Sequence, residues 1–157
     1  MRYTARTDIG LKREQNEDNF LAKIYDEDVA LFIVADGLGG YSSGEVASKV
    51  AINTIRDNFE QNIETLKKSD EENIKKFLEQ LVIIANEKIY NLQKSNKKYN
   101  GMGTTIVLIT KLKNKLYYES VGDSRMYYIN ENKDTIEQIT VDDTYVNELL
   151  KKNLIKK

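Results

Sequence analysis

The feature that most constrains the fold is a run of seven apolar residues, Val29 to Ala35, that ends on an acid and a cluster of glycines, Asp36-Gly-Leu-Gly-Gly40. So short a run, rich in β-branched side chains, predicts a strand buried on both faces. Asp36 then places a carboxylate where the strand is expected to leave the core. Gly37, Gly39 and Gly40 let the backbone take positive φ and approach a ligand closely. Ser42 and Glu45 have capping-box spacing and predict the start of an amphipathic helix. A strand-end carboxylate followed by bare amides and a helix N-terminus suits a metal ion bridging to phosphate. The same residues also satisfy an ordinary tight strand-to-helix turn.

What the chain lacks narrows its chemistry. There is no Cys, so there are no disulfides, zinc thiolates or thiol nucleophile. There is no His, which removes the imidazole base, the Ser-His-Asp triad and histidine metal ligands. Catalysis must therefore use carboxylates, Lys, Arg, hydroxyls or a metal held by oxygen, and oxygen ligation selects Mg²⁺, Mn²⁺ or Ca²⁺. The 24 basic and 25 acidic residues nearly cancel, which gives no support to a nucleic-acid or anionic-membrane partner. No apolar run approaches the ~20 residues of a membrane span. Met1-Arg-Tyr-Thr-Ala5 has no apolar signal core, so a cytoplasmic soluble protein is expected.

Along the chain, residues 2–8 read as a half-exposed strand, followed by a polar loop carrying Arg13, Asn16, Glu17 and Asp18. Phe20 to Ile24 reads as a strand, and Tyr25 to Asp28 as a hairpin turn into 29–35, which would bring the 13–18 loop next to Asp36. Helical spacing runs from Ser43 to about Phe59, with a polar connector over 60–68. Ser69 and Glu72 suggest a second capping box, and Ile74, Phe77, Leu78, Leu81, Val82, Ala85, Ile89 and Leu92 make a continuous apolar stripe on a long helix ending near Gln93. With no heptad partner elsewhere, that stripe is expected to pack on a sheet rather than form a coiled coil. Strands are expected over 104–112, 115–121, 126–129 and 135–140, and a last helix from Thr144. With no repeat or linker-like break, 1–157 reads as one domain. Segregated strands and helices with short strand connections predict an α+β fold of antiparallel sheets covered by helices.

Three polar turns flank strands: 13–18, 36–40 and 122–125. Gathered at one end of a sheet, they would present Glu17, Asp18, Asp36 and Asp123 together. Such acids repel unless a cation neutralises them or their pKa values rise. Arg13 would stand beside them as a bidentate phosphate ligand. The residues alone thus point to metal-assisted phosphate-ester hydrolysis.

Thr7-Asp-Ile-Gly-Leu-Lys-Arg-Glu-Gln-Asn-Glu-Asp-Asn-Phe20, Ala35-Asp-Gly-Leu-Gly-Gly40, Gly101-Met-Gly-Thr-Thr105 and Val121-Gly-Asp-Ser-Arg125 stand in this order. Their order resembles the metal-dependent PPM-type (type 2C) protein Ser/Thr phosphatases, in their compact bacterial form. Ile139 to Val146 is similar to the family's next motif. The resemblance implies a four-layer αββα sandwich of two antiparallel sheets flanked by helices. It also implies that Asp36 bridges two Mn²⁺ or Mg²⁺ ions and that the Gly37 carbonyl ligates one of them. Glu17 and Asp18 would hold waters on the metals, Arg13 would bind the substrate phosphate, and Asp123 would contribute to a third, weaker metal. Gly101 to Thr105 is expected to be structural. The implied substrates are phosphoSer and phosphoThr proteins, with Ser/Thr kinases and their targets as partners.

The sequence departs from the family in places. Leu38 stands where many animal and plant members have His, and Tyr41 and Asp143 replace two other common His residues. The family continues into an Asp-Gly and a Gly-Gly-x-Asp-Asn motif that supply two more metal aspartates, and no counterpart follows Lys157. The chain is therefore expected to be an N-terminal portion of the phosphatase domain, with open sheet edges and an uncovered apolar face. The alternative is a short pseudophosphatase or binding module with the same fold. A dinucleotide-binding turn at 37–42 fits less well, because Ser42 replaces the last Gly and Asp36 would repel a pyrophosphate. A P-loop is excluded, since no Gly-Lys-Ser/Thr follows the turn.

Overall fold

The structure is a computed structural model and describes residues 1–39 and 43–155. The expected hairpin forms from β1 (Asp18–Ile24) and β2 (Val29–Leu38), paired antiparallel with Asp18 opposite Asp36. Its turn is closed by Asp26, whose Oδ1 accepts from the Asp28 and Val29 amides, each at 2.8 Å. β2 runs on past Asp36 to Leu38, because Gly37 and Leu38 pair with a two-residue strand, β3 (Gly103–Thr104). Asp36 is therefore held inside a ladder, rather than at the exit from one. β4 (Ile106–Leu112) flanks β2 on the same side, and β5 (Lys115–Val121) completes a five-stranded sheet of order β1-β2-β4-β5 with β3 on β2.

Two long helices cover one face of this sheet. α1 spans Ser43–Leu66 and α2 spans Glu71–Ser95. The polar connector expected over 60–68 is helical as far as Leu66. Ile63 and Leu66 still reach the core there, and nothing in 60–66 breaks the helix. The cap of α2 is also displaced by one residue. Asp70 accepts from the Asn73 amide at 2.8 Å, whereas the Ser69 hydroxyl turns back to the Thr65 carbonyl. Alternation in the strands divides their side chains cleanly between the two faces. Leu31, Ile33, Ala35, Ile106, Leu108 and Tyr117 meet Ala47, Ala51, Ile55 and Phe59 of α1 and Ile74, Leu78, Leu81 and Ala85 of α2 in one core.

The opposite face carries Phe20, Phe32, Val34, Val107, Ile109 and Tyr118, by the pairing register. The central strand is thus covered on one side and open on the other: Leu31 is 0% exposed and its neighbour-but-two Val34 is 52% exposed. Residues 2–8 form no strand. They lie over the open face as irregular chain, with the Tyr3 ring edge-on to Phe32 at 5.7 Å between centroids. An apolar groove of about 340 Å³ remains between this segment, Phe20, Val34, Val107 and Met126.

Beyond the main sheet, β6 (Tyr127–Asn130) and β7 (Thr135–Gln138) make a second, two-stranded antiparallel sheet. It is followed by α3 (Tyr145–Lys151), which starts close to where it was expected, with Thr144 as its N-cap. The class is α+β with two antiparallel sheets. Among the described residues no helix is long and apolar enough to cross a membrane.

Candidate active site

Two of the three polar turns, 13–18 and the start of 36–40, converge where β1 and β2 meet the start of α1. A cleft of about 200 Å³ there is lined by Asp8, Arg13, Asn16, Glu17, Asp18, Asp36 and Gly37, among others. The 122–125 turn does not line this cleft, and Asp123 reaches Asp36 through its charge. Register places Asp18 and Asp36 directly opposite each other, on the open face of the sheet. The Asp36 carboxyl is pushed above the usual range, first by partial burial, then by the charge of Asp18 and a hydrogen bond with it, and then by the charge of Asp123. Arg13 opposes that shift with its positive charge. A cation bound beside Asp36 would favour its charged form and so displace the proton that burial and the neighbouring acids favour.

Glu17 has a position that sequence reasoning missed. Its side chain is only 11% exposed; Oε1 accepts from the Gly44 amide at 3.1 Å, and Oε2 lies 3.7 Å from Arg13 Nη1. A carboxylate at the first turn of α1 satisfies a free amide and complements the helix dipole. The capping box expected from Ser42 and Glu45 rests partly on Ser42, which lies outside the described residues; Glu45 itself pairs with Lys49. Other cleft contacts carry no sequence signal beyond residue type. The Asn16 side chain accepts from the Asp18 amide at 3.0 Å and donates to Thr7 Oγ1 at 2.7 Å. Ser48 donates to the Glu17 carbonyl at 2.7 Å and accepts from Asn19 at 2.8 Å, which fixes the 13–18 loop to α1.

Gly37 shows why the motif needs glycine. A Cβ there would lie 2.2 Å from the Gly44 carbonyl oxygen and 2.6 Å from that of Glu17. The loop, the strand end and the helix start are in backbone contact. Close approach of main chains is therefore the reason at this position, and no positive φ is involved; Gly39, at φ +154°, is the residue that needs one.

Among the described residues, no three His, Cys, Asp or Glu side chains gather as a metal-binding group. The chain brings Asp18 and Asp36 together, keeps Asp123 close enough for its charge to reach Asp36, and turns Glu17 toward the helix. An opposed pair of carboxylates, with carbonyl oxygens nearby, is the donor chemistry of a hard divalent cation. It is an incomplete set of ligands.

The family model described as protein phosphatase 2C matches residues 12–152. The chain belongs to this family. The phosphatase 2C relatives include serine/threonine phosphatase stp of Listeria welshimeri, 36% identical over 152 residues, covering 97% of this chain and 58% of the relative. Protein phosphatase PhpP of Streptococcus pneumoniae is 31% identical, covering 96% of this chain and 58% of the relative. Among solved structures, the Mycobacterium tuberculosis serine/threonine phosphatase PstP/Ppp superposes with a TM-score of 0.78 at 34% identity, covering 99% of this chain and 60% of that one. A structure of the catalytic domain of PstP in complex with two manganese ions gives 0.78 at 33% identity, over 99% of this chain and 61% of that one. The chain spans about 58% of the length of the curated relatives it matches.

Proposed function

We propose that this phosphatase 2C chain carries the Arg13 and Asp36 part of an active site that hydrolyses phosphoSer and phosphoThr in proteins. The observation that carries this reading is the opposed Asp18–Asp36 pair, with the Asp36 carboxyl pushed up and Arg13 on the same cleft. In this proposal Asp36 and the Gly37 carbonyl hold Mn²⁺ or Mg²⁺. Asp18 and Glu17 act through water, and Asp123 supports a further, weaker ion. The manganese pair in the PstP complex supports the choice of cation. Bound there, such ions supply the Lewis acidity that makes water a nucleophile near neutral pH.

The chain's own residues do the rest. Arg13, with its side chain 76% exposed at the mouth, receives the substrate phosphate as a two-pronged donor. Its loose 3.7 Å pairing with Glu17 leaves the guanidinium available for that task. Asp36 must be ionised to hold the cation, so cation affinity rises with pH through its raised range. We further propose that 1–157 acts as one domain in the cytoplasm, with phosphorylated proteins, including Ser/Thr kinases and their targets, as partners. The Ser/Thr phosphatase names of its relatives support that substrate class.

The test uses this chain and a version extended by any coding sequence that follows it. Each is assayed on a phosphoThr peptide and an aryl phosphate, with and without Mn²⁺. The extended form should turn over only with Mn²⁺ and lose activity on Asp36→Asn; the 157-residue chain should show little turnover. An Asp36→Asn variant as fast as its parent would remove Asp36 from the mechanism.

A further inference from the structure

Thr105 sits at an irregularity in the sheet that the metal-phosphatase reading does not use. Gly37 opposite Thr104 and Val34 opposite Val107 share one register, yet Thr105 belongs to neither β3 nor β4. A regular antiparallel pair would exchange both amide-to-carbonyl bonds between Asp36 and Thr105. The Thr105 amide does donate to the Asp36 carbonyl, at 2.9 Å. The Asp36 amide instead meets the Thr105 hydroxyl at 3.1 Å, and the Thr105 carbonyl accepts from Thr104 Oγ1 at 3.0 Å. A side-chain oxygen has taken the place of a main-chain acceptor at the residue that bears the central-strand acid.

The same hydroxyl continues outward. Thr105 Oγ1 and Ser124 Oγ lie 2.7 Å apart, which joins β2 to the turn that bears Asp123. The Thr105 methyl group packs under that turn: a Cβ on Gly122 would lie 2.7 Å from Thr105 Cγ2. Gly122 has φ +99°, so the turn is committed to glycine twice, by conformation and by contact with Thr105. Thr105 is itself 7% exposed.

We infer that Thr105 is a positioning residue: its hydroxyl and methyl group tie the Asp36 backbone to the Gly122–Asp123–Ser124 turn and set where the two acids stand relative to each other around the divalent-cation site. This rests on the metal-dependent reading above. Partners in the shell behind a metal's ligands typically change its affinity by about 10–100-fold when removed.

The experiment compares Thr105→Val, which keeps the shape and loses the hydroxyl, with Thr105→Ser, which keeps the hydroxyl. Mn²⁺ affinity is measured by titration calorimetry, and amide exchange at Asp36 and Asp123 by NMR without metal. Thr105→Val should weaken Mn²⁺ binding by about 10–100-fold. It should speed exchange at Asp36 while leaving the Leu108 amide, in the core of β4, as protected as before. Thr105→Ser should restore most of both. Should Thr105→Val fail to fold, Ser124→Ala breaks the far end of the same link and should loosen the Asp123 amide. Unchanged exchange at Asp36 in Thr105→Val, or a serine variant as impaired as valine, would overturn the inference. A parent protein that binds no Mn²⁺ would defeat the metal reading alone, and the exchange data would then decide the role of Thr105 by themselves.

Discussion

Asp36 and Asp123, the two acids joined through Thr105, stand on very different ground. Asp36 is carried by the central strand of a five-stranded sheet, above Ala35, Ile33 and Leu31, which are at most 1% exposed. Asp123 sits in the turn that leads to β6, β7 and α3, a region where Thr140 is the only buried residue among those described. Tyr127, Tyr128, Ile129 and Ile136 of that small sheet all face solvent. Hydrophobic burial fixes the first acid, whereas local polar links fix the second: Thr105 to Ser124, the Asp143 amide to the Gly122 carbonyl at 2.9 Å, and the Arg125 fork on Asp142. A site assembled from both inherits its rigidity from one side only.

The strongest way to break this contrast is at Gly37. A methyl group there runs into two main-chain oxygens that cannot swing aside, so Gly37→Ala should abolish cooperative thermal unfolding. A variant melting within a few degrees of its parent would show that loop 13–18 and α1 can separate without cost. Next come paired truncations in the two regions. Phe59→Ala, in the core under the sheet, should cost about 3–5 kcal/mol in denaturant unfolding. Ile136→Ala on the small sheet should stay within about 0.5 kcal/mol. Equal costs would erase the distinction.

The smallest effect concerns acid. Hydrogen bonds from Arg125, which has Nη2 2.6 Å from Asp142 Oδ2, hold the Asp142 carboxyl below its ordinary value of 3.8. Because the folded value is the lower one, the contribution is complete above the unfolded value and fades as pH falls through the folded one. Amides of β6 and β7 should therefore lose protection below about pH 4 before those of β4 do, and Asp142→Asn should abolish this early step. Simultaneous loss in both sheets would mean that they open as one unit.

The contrast also explains how much could be read from the residues. The 29–35 strand, the α2 stripe and the antiparallel α+β class were legible because burial imposes periodicity, and the acid turns because glycine and charge stand out. Arg13, Asp18 and Asp36 do line one cleft. What escaped notice depends on contacts between distant segments. Glu17 reaches the Gly44 amide across 27 positions, and Thr105 replaces a carbonyl 69 positions from Asp36. The last turns of α1 carry little sequence signal because they are mostly polar and only Ile63 and Leu66 turn inward. Residues 2–8 have strand-like alternation and β-compatible side chains, but they find no partner edge among the described residues, and they rest on the sheet's face through Tyr3.

The glycine contact has a consequence for how such a sequence can drift. A Cβ on Gly37 strikes the Gly44 carbonyl, and a Cβ on Gly44 comes within 2.8 Å of both Gly37 and the Glu17 carboxylate. Neither glycine can change first, and Glu17 blocks the second route even if the first were open. The glycines at the strand end and the helix start are thus locked as a pair, and a side chain at position 44 would also require Glu17 to move. Neighbouring Leu38 is 54% exposed, so its side chain can be exchanged without disturbing that main-chain contact.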